Sequence, residues 1–268
     1  MPSRLKLPLF LVFAALALQS PPASAQVADY GDGGGTAVTG SIGVGAMSAP
    51  EFEGSDRSEI KPLPFFNLRY GPVFLSTGKG LGIRLDLLDG ALEISPALNY
   101  RGPRDEGESD LLAGMGDVEA QLTGGASIIY RMGDVSFGIM GFQGLSDADG
   151  FTLDTRLAYL NRQDEKLHWG FAAEAGFADA DYNRAHFGVN EIQSLNSGYP
   201  VYTPSDGLRN VSLGGTVDYY LTPNISVDVF ARASRLMGDP ADSPLVRRGS
   251  PSQFTAGLLL FYHFGMGY

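Results

Sequence analysis

Residues 254–268 read FTAGLLLFYHFGMGY. Phe254, Ala256, Leu258, Leu260, Tyr262, Phe264, Met266 and Tyr268 fall on every second position. A period of two places them on one face of a β-strand. The run is longer than the common soluble strand of about 5–6 residues. It suits a tilted strand crossing a bilayer, which needs about 9–11 residues. From this segment alone, an amphipathic strand of a soluble sandwich is the competing reading.

The other end of the chain supplies a route to a membrane. Arg4 and Lys6 precede an apolar run, Leu7 to Leu18, broken only by Pro8, and Ala23-Ser24-Ala25 follows as a small-x-small site. This is the pattern of a secretory signal peptide over 1–25, cleaved after Ala25. The run is shorter than the ~20 residues that a helical span needs. A membrane protein without apolar helices must be a barrel, because in lipid every backbone polar group has to be paired within the protein.

Composition agrees. Gly makes up 36 of 268 residues, mean hydropathy is −0.02, and there is no Cys. One lipid face and one polar face average to neutral, and disulfide or thiol chemistry is excluded. Losing Arg4 and Lys6 takes the net charge from −11 to about −13, which repels nucleic acid.

Residues 26–35 read as a flexible leader, and 36–268 as the barrel. Period-two segments fall at 36–47, 59–70, 72–77, 80–88, 91–101, 117–131, 134–145, 151–161, 167–177, 208–221, 225–237 and 252–268. The fold class is therefore all-β: a transmembrane antiparallel up-and-down barrel of about twelve strands. Ten is the alternative, because Pro62, Pro64 and Pro72 weaken the second and third segments. Connections alternate between short (71, 89–90, 132–133, 161–166, 222–224) and mostly long (48–58, 102–116, 178–207, 238–251). Outer-membrane barrels have short periplasmic turns and longer outer loops, so both termini are expected in the periplasm. Tyr70, Tyr130, Tyr159, Trp169, Tyr219 and Tyr262 fall at that end, as a girdle at the lipid–water boundary.

Several stretches resemble the MltA-interacting protein / OmpV family of Gram-negative outer-membrane proteins. They are PEFEGSDRSEIKPLPFFNLRYGPVFLSTGKGLGI (50–83), LLAGMGDVEAQLTGGASIIY (111–130), AHFGV (185–189), SGYPVY (197–202), GLRNVSLG (207–214), DSPLV (242–246) and the closing FTAGLLLFYHF. The Gly265–Tyr268 extension departs from the family's aromatic-basic-Phe ending. The resemblance implies a monomeric outer-membrane barrel in contact with lipid and lipopolysaccharide. It implies assembly machinery that reads the last strand, here Leu260, Tyr262, Phe264, Met266 and Tyr268. It also implies a scaffold role linking a peptidoglycan hydrolase to a synthase. Other members are linked to adhesion, osmotic response or antibiotic uptake.

Chemistry is sparse. The three histidines are His168, His186 and His263. Neither strand histidine has a Ser two positions away, although cross-strand partners stay open. The expectation is no enzyme, no metal site and no cofactor. Inward parity gathers Arg84, Asp86, Glu93, Arg101, Glu119, Asp154, Arg156, Glu174, Asp218, Asp228 and Arg232. These form either an ion-paired plug or, since acids outnumber bases, a narrow cation-preferring channel for a solute or antibiotic. Acids also cluster in the outer loops, Glu51 to Glu59 and Asp105 to Asp110, where solvated charge is the ordinary reading and divalent cations the other.

Overall fold

The computed structural model describes residues 38–146 and 150–265. The signal segment, the leader, Met266 and Tyr268 lie outside the described residues. Twelve strands form one closed antiparallel barrel. They are β1 (Thr39–Pro50), β2 (Ser58–Tyr70), β3 (Val73–Ser76), β4 (Gly80–Ile83 and Leu85–Leu87, interrupted at Arg84), β5 (Leu92–Arg101) and β6 (Gln121–Met132). Then come β7 (Val135–Gly144), β8 (Phe151–Asn161), β9 (Leu167–Ala178), β10 (Gly207–Thr222), β11 (Ile225–Leu236) and β12 (Ser252–Phe264). Each strand pairs with its neighbours in sequence, and β12 returns to β1, from Gly40↔Phe264 to Ser48↔Ala256. The ten-strand alternative falls away, because the proline-bearing segments are strands. Most boundaries agree with the sequence reading to within a residue, β12 ends at Phe264 with Gly265 already outside it, and two others differ by more. β1 runs three residues further, and β6 begins at Gln121, because Val118 makes only an isolated bridge to Arg104.

The faces are inside-out relative to a soluble sheet. Leu213 is 68% exposed, whereas the adjacent Ser212 is 6% exposed. Leu81, Ile83, Leu85, Leu87, Val217 and Val229 are likewise on the outer face. A closed barrel with an apolar exterior and a polar interior is what lipid outside requires. Inside, one apolar cluster (Met47, Leu63, Phe65, Phe230, Leu259, Phe261) lies along β1, β2, β11 and β12.

The two ends differ. At the end holding Thr39 and Phe264, hereafter the near end, the connections are short. Gly133 takes φ +60° in one of them, a conformation that suits a two-residue hairpin. At the far end, α1 (Ala180–Phe187), α2 (Glu191–Ser197), α3 (Gly238–Asp242) and α4 (Pro244–Arg248) fold over the mouth. Asp179 and Asn190 cap α1 and α2 through Tyr182 N–H and Gln193 N–H. Phe52, Leu112, Tyr199 and Leu245 pack into one roof cluster, and Tyr182, Phe187, Leu236 and Val246 into another.

One stretch of wall is low. β3 has four residues, about 13 Å of strand, whereas β2 beside it has thirteen.

Candidate functional site in the barrel lumen

Alternation along the strands delivers charged side chains to the interior, and register decides which of them meet. Toward the near end, Glu93 on β5 accepts from Lys79 Nζ at 2.8 Å and Arg131 at 2.7 Å, with Arg84 Nε at 3.4 Å. Ser95 Oγ donates to the same carboxylate at 2.9 Å. Asp86 joins Arg84 at 2.7 Å and Arg69 at 3.4 Å. Further up, Glu174 on β9 bridges Arg156 at 2.9 Å and Arg232 at 2.7 Å, while Ser212 Oγ donates to it at 3.0 Å. Asp154 receives Arg209 at 3.1 Å. Arg101 donates to Gln121 at 3.0 Å and Thr152 at 3.3 Å, and its guanidinium lies 4.9 Å from the Tyr182 ring. Asp218 and Asp228 face each other directly across β10 and β11, and Thr216 Oγ donates to Asp228.

Nine of the eleven predicted lumen charges thus lie on strands and Arg84 at the interruption of β4, in clusters that register assembles. Glu119 does not. It is exposed in the connection before β6, because that strand starts later than alternation suggests. Several partners went unnoticed in the sequence. Lys79, Arg69 and Arg131 occupy a turn or inward positions, and parity alone would have found the last two. Arg209 could not be found that way. The register slips between Gly176 and Phe177, which face Asn210 and Leu208, leaving Arg209 as the extra residue of a bulge turned inward. Glu53, Arg104 and Tyr182 come from the far-end connections, which carry no periodic signal.

Beneath the roof is a cavity of about 290 Å³. Its cationic lining is Lys61, Arg101, Arg104, Arg156, Arg209 and Arg232, against the acids Glu53, Glu108, Asp154 and Glu174. The acidic excess expected from sequence is therefore reversed here, because Lys61, Arg104 and Arg209 join the interior and Asp218 and Asp228 sit nearer the other end. Tyr182 lies between Arg101 and Arg209, whose guanidinium is 5.1 Å from the ring. Burial, reinforced by Arg104, Arg101 and Arg209, holds the His186 imidazole well below its ordinary pKa, so it is neutral at pH 7. Burial also raises the Glu53 carboxyl, a shift that Arg209 opposes.

Two other sets of residues bear on chemistry. Ser226 Oγ and His263 Nε2 are 2.8 Å apart, a cross-strand pair of the kind left open above, but both are buried (Ser226 0%, His263 5% exposed) in the near-end interior. The far-end acids are engaged locally. Asp110 pairs with Arg57 at 3.0 Å, and Glu106 accepts from Gly114 N–H at 3.0 Å and Gly116 N–H at 2.7 Å. No group of three or more metal-ligating side chains occurs among the described residues.

On the outer surface, Tyr70, Tyr130, Tyr219 and Tyr262 are exposed at the near-end strand termini. There Tyr159 and Trp169 lie 5.5 Å apart. A second exposed aromatic band at the far end holds Tyr100, Phe151, Phe177 and Phe254. Two aromatic bands bracketing an apolar wall are what the two lipid–water boundaries favour.

Among solved structures, the KdgM porin is 9% identical, with 84% of this chain and 99% of that chain covered and a TM-score of 0.41. The NanC porin is 9% identical, with 84% and 100% covered and a TM-score of 0.45. The Neisserial surface protein A is 9% identical, with 85% and 99% covered and a TM-score of 0.26. These likenesses extend to the barrel alone. Among curated proteins none matches the chain. The family described as "MltA-interacting protein MipA" matches residues 42–264. That span runs from within β1 to the end of β12, and the chain belongs to the MltA-interacting protein (MipA) family of outer-membrane barrels.

Proposed function

We propose that this barrel is a non-catalytic envelope scaffold, with its near end and both termini in the periplasm, which holds a peptidoglycan hydrolase there. The observation that carries this reading is an interior crowded with ion pairs beneath a helical roof. The Glu93 cluster lines the wall from β3 to β6, the Glu174 cluster lines it from β8 to β11, and four short helices pack over the far mouth. A barrel obstructed along its axis in this way works through its surfaces rather than by passing solute from end to end. The near-end turn Arg162–Lys166 is charged and exposed, which suits a periplasmic partner. The family's printed description, an interaction with MltA, supports the same reading. The reading as a cation-preferring channel loses ground to the cationic cavity lining.

The test is site-specific photocrosslinking in intact envelopes, with a crosslinker at Gln163 on the near-end turn or at Leu195 on the far-end α2. Capture of a peptidoglycan hydrolase from Gln163 and not from Leu195 is the expected result. Capture from Leu195 only, or from neither, contradicts the scaffold.

A further inference from the structure

The low wall at β3 and β4 leaves the far-end half of β2, paired with β1 on one side, without a neighbour on the other. Pairing between β2 and β3 ends at Asn67↔Ser76, and Thr77 closes the turn with a hydrogen bond to Phe66 O at 2.9 Å. On the other side, β4 meets β5 no higher than Leu81↔Leu98, and Asn99 Nδ2 reaches Gly78 O at 3.5 Å. Above that turn, residues 58–65 of β2 and residues 99–104 beyond it face each other with no ladder between them. The Arg57–Asp110 pair spans the top. The result is a window in the wall, with the β3–β4 turn as its sill. Gly80 makes the sill tight: its φ is +77° and a Cβ there would lie 2.0 Å from Leu98 O.

The prolines have their reason here. Phe66 N–H points toward β3, since it donates to Thr77 Oγ1 at 2.9 Å. Residues 64 and 62 share its parity, so their backbone nitrogens point into the window. Both are Pro and have no N–H to leave unpaired. Pro64 lies opposite Val44 and Pro62 opposite Ala46, several residues inside the far-end aromatic band, at a level where lipid covers the wall. An edge without these donors also makes a poor template for another strand.

The window opens on the cavity. Lys61 of β2, Thr77 and Gly78 of the sill, and Asn99, Arg101 and Arg104 on the opposite side all line it. Its walls are of two kinds. Met47, Ala49 and Phe230 form an apolar side, and Phe142 of β7 lines the cavity apart from them. Arg104 stands out on the cationic side. It is 7% exposed, and of the carboxylates whose charge acts on it, Glu108 and Asp117, neither is in ion-pair range. Its Nη1 donates to His186 O at 2.7 Å, whereas its Nε is buried without a partner. A guanidinium edge without a partner is the fork that a carboxylate or phosphate engages with two bonds.

We propose that this window admits an amphipathic anion, an apolar chain ending in a carboxylate or phosphate, sideways from the bilayer into the cavity. The head group takes the unpartnered edge of Arg104, and the chain lies along Met47 and Phe230 and out between β2 and β5. With the far end outside the cell, as proposed above, the ligand comes from the outer leaflet. The cavity then serves as a binding site without the barrel being a pore.

The test uses the full barrel, refolded in neutral detergent, and photoactivatable diazirine-myristate as probe, with labelled residues mapped by mass spectrometry. Saturable labelling of Met47, Phe230 or residues 99–104 is expected, beside unsaturable labelling of the outer face at Val44 and Leu213. Labelling confined to the outer face overturns the proposal. Excess phosphatidate should compete, whereas tetradecanol and tetradecyltrimethylammonium should not. Competition by either of the latter two overturns the role of the anionic head, and equal competition by acetate or inorganic phosphate overturns the sideways route in favour of a soluble-anion site. Arg104→Gln should lower interior labelling at least tenfold and leave outer-face labelling unchanged. Undiminished interior labelling in a folded variant overturns the assignment of Arg104. Should that variant not fold, the competition series on the unaltered protein decides alone.

Discussion

Glu174→Gln tests whether the lumen is held shut by its ion pairs. The carboxylate holds Arg156 at 2.9 Å, Arg232 at 2.7 Å and Ser212 at 3.0 Å. The side chains of Glu174, Arg156 and Arg232 are 11%, 13% and 18% exposed. Breaking a buried pair costs about 3–5 kcal/mol, because it leaves an uncompensated charge behind. The cluster borders the cavity, where water softens that cost, and Gln keeps one acceptor. The expected loss is therefore about 2–3 kcal/mol. With a urea m-value of about 3 kcal/mol/M, that lowers the unfolding midpoint by roughly 1 M. The assay is urea unfolding of the barrel refolded in lipid vesicles, followed by heat-modifiable gel migration and by the fluorescence of Trp169, the one Trp in the chain. Arg247→Ala, which breaks the exposed pair with Asp242, is the control and should leave the midpoint in place. A Glu174→Gln shift no larger than the control's would refute the closed lumen, since solvated pairs contribute only about 0–1 kcal/mol.

Other outcomes follow from the same geometry. Leu213→Arg puts a charge on the lipid face at mid-strand and should destabilise by ~2–4 kcal/mol in vesicle unfolding, whereas Leu221→Arg near the girdle should cost ~0–1 kcal/mol; equal costs would contradict the membrane depth assigned to β10. His186 should make stability depend on acid. Its folded pKa lies below the unfolded value of 6.5, so its contribution is complete above pH 6.5 and is lost as pH falls below it. Glu53 has the opposite sign, being raised above 4.5, so its favourable contribution is lost as pH rises through its folded value. The difference between unaltered protein and His186→Gln, measured from pH 7 to 5, isolates the histidine, and parallel curves would exclude it. Deleting Phe264–Tyr268 removes the terminal Gly40↔Phe264 pair and should abolish insertion; a compact heat-modifiable band from the truncated chain would show otherwise.

Much of this architecture was legible because a period of two survives wherever a strand has one lipid face. Leu81 to Leu87 and Val211 to Leu221 reveal their faces without any structure. The roof was not legible. Its helices are five to eight residues long, and they are fixed by caps and by contacts with distant loops. Within the site, Arg84, Asp86, Glu93, Asp154, Arg156, Glu174 and Arg232 followed from parity. Arg209 did not, since a bulge reverses parity locally, and neither did Arg104, since it lies past the strand end. Pro62 and Pro64 looked like evidence against a strand. They belong to one whose free edge has lost donors that lipid would leave unpaired.

Whether the barrel is closed to ions is decided by single-channel recording in planar bilayers. No steady conductance is expected from the unaltered protein in 1 M KCl, and stepwise currents only when Glu93 and Glu174 are both replaced by Gln. Steady current through the unaltered barrel, unchanged by those replacements, would contradict closure.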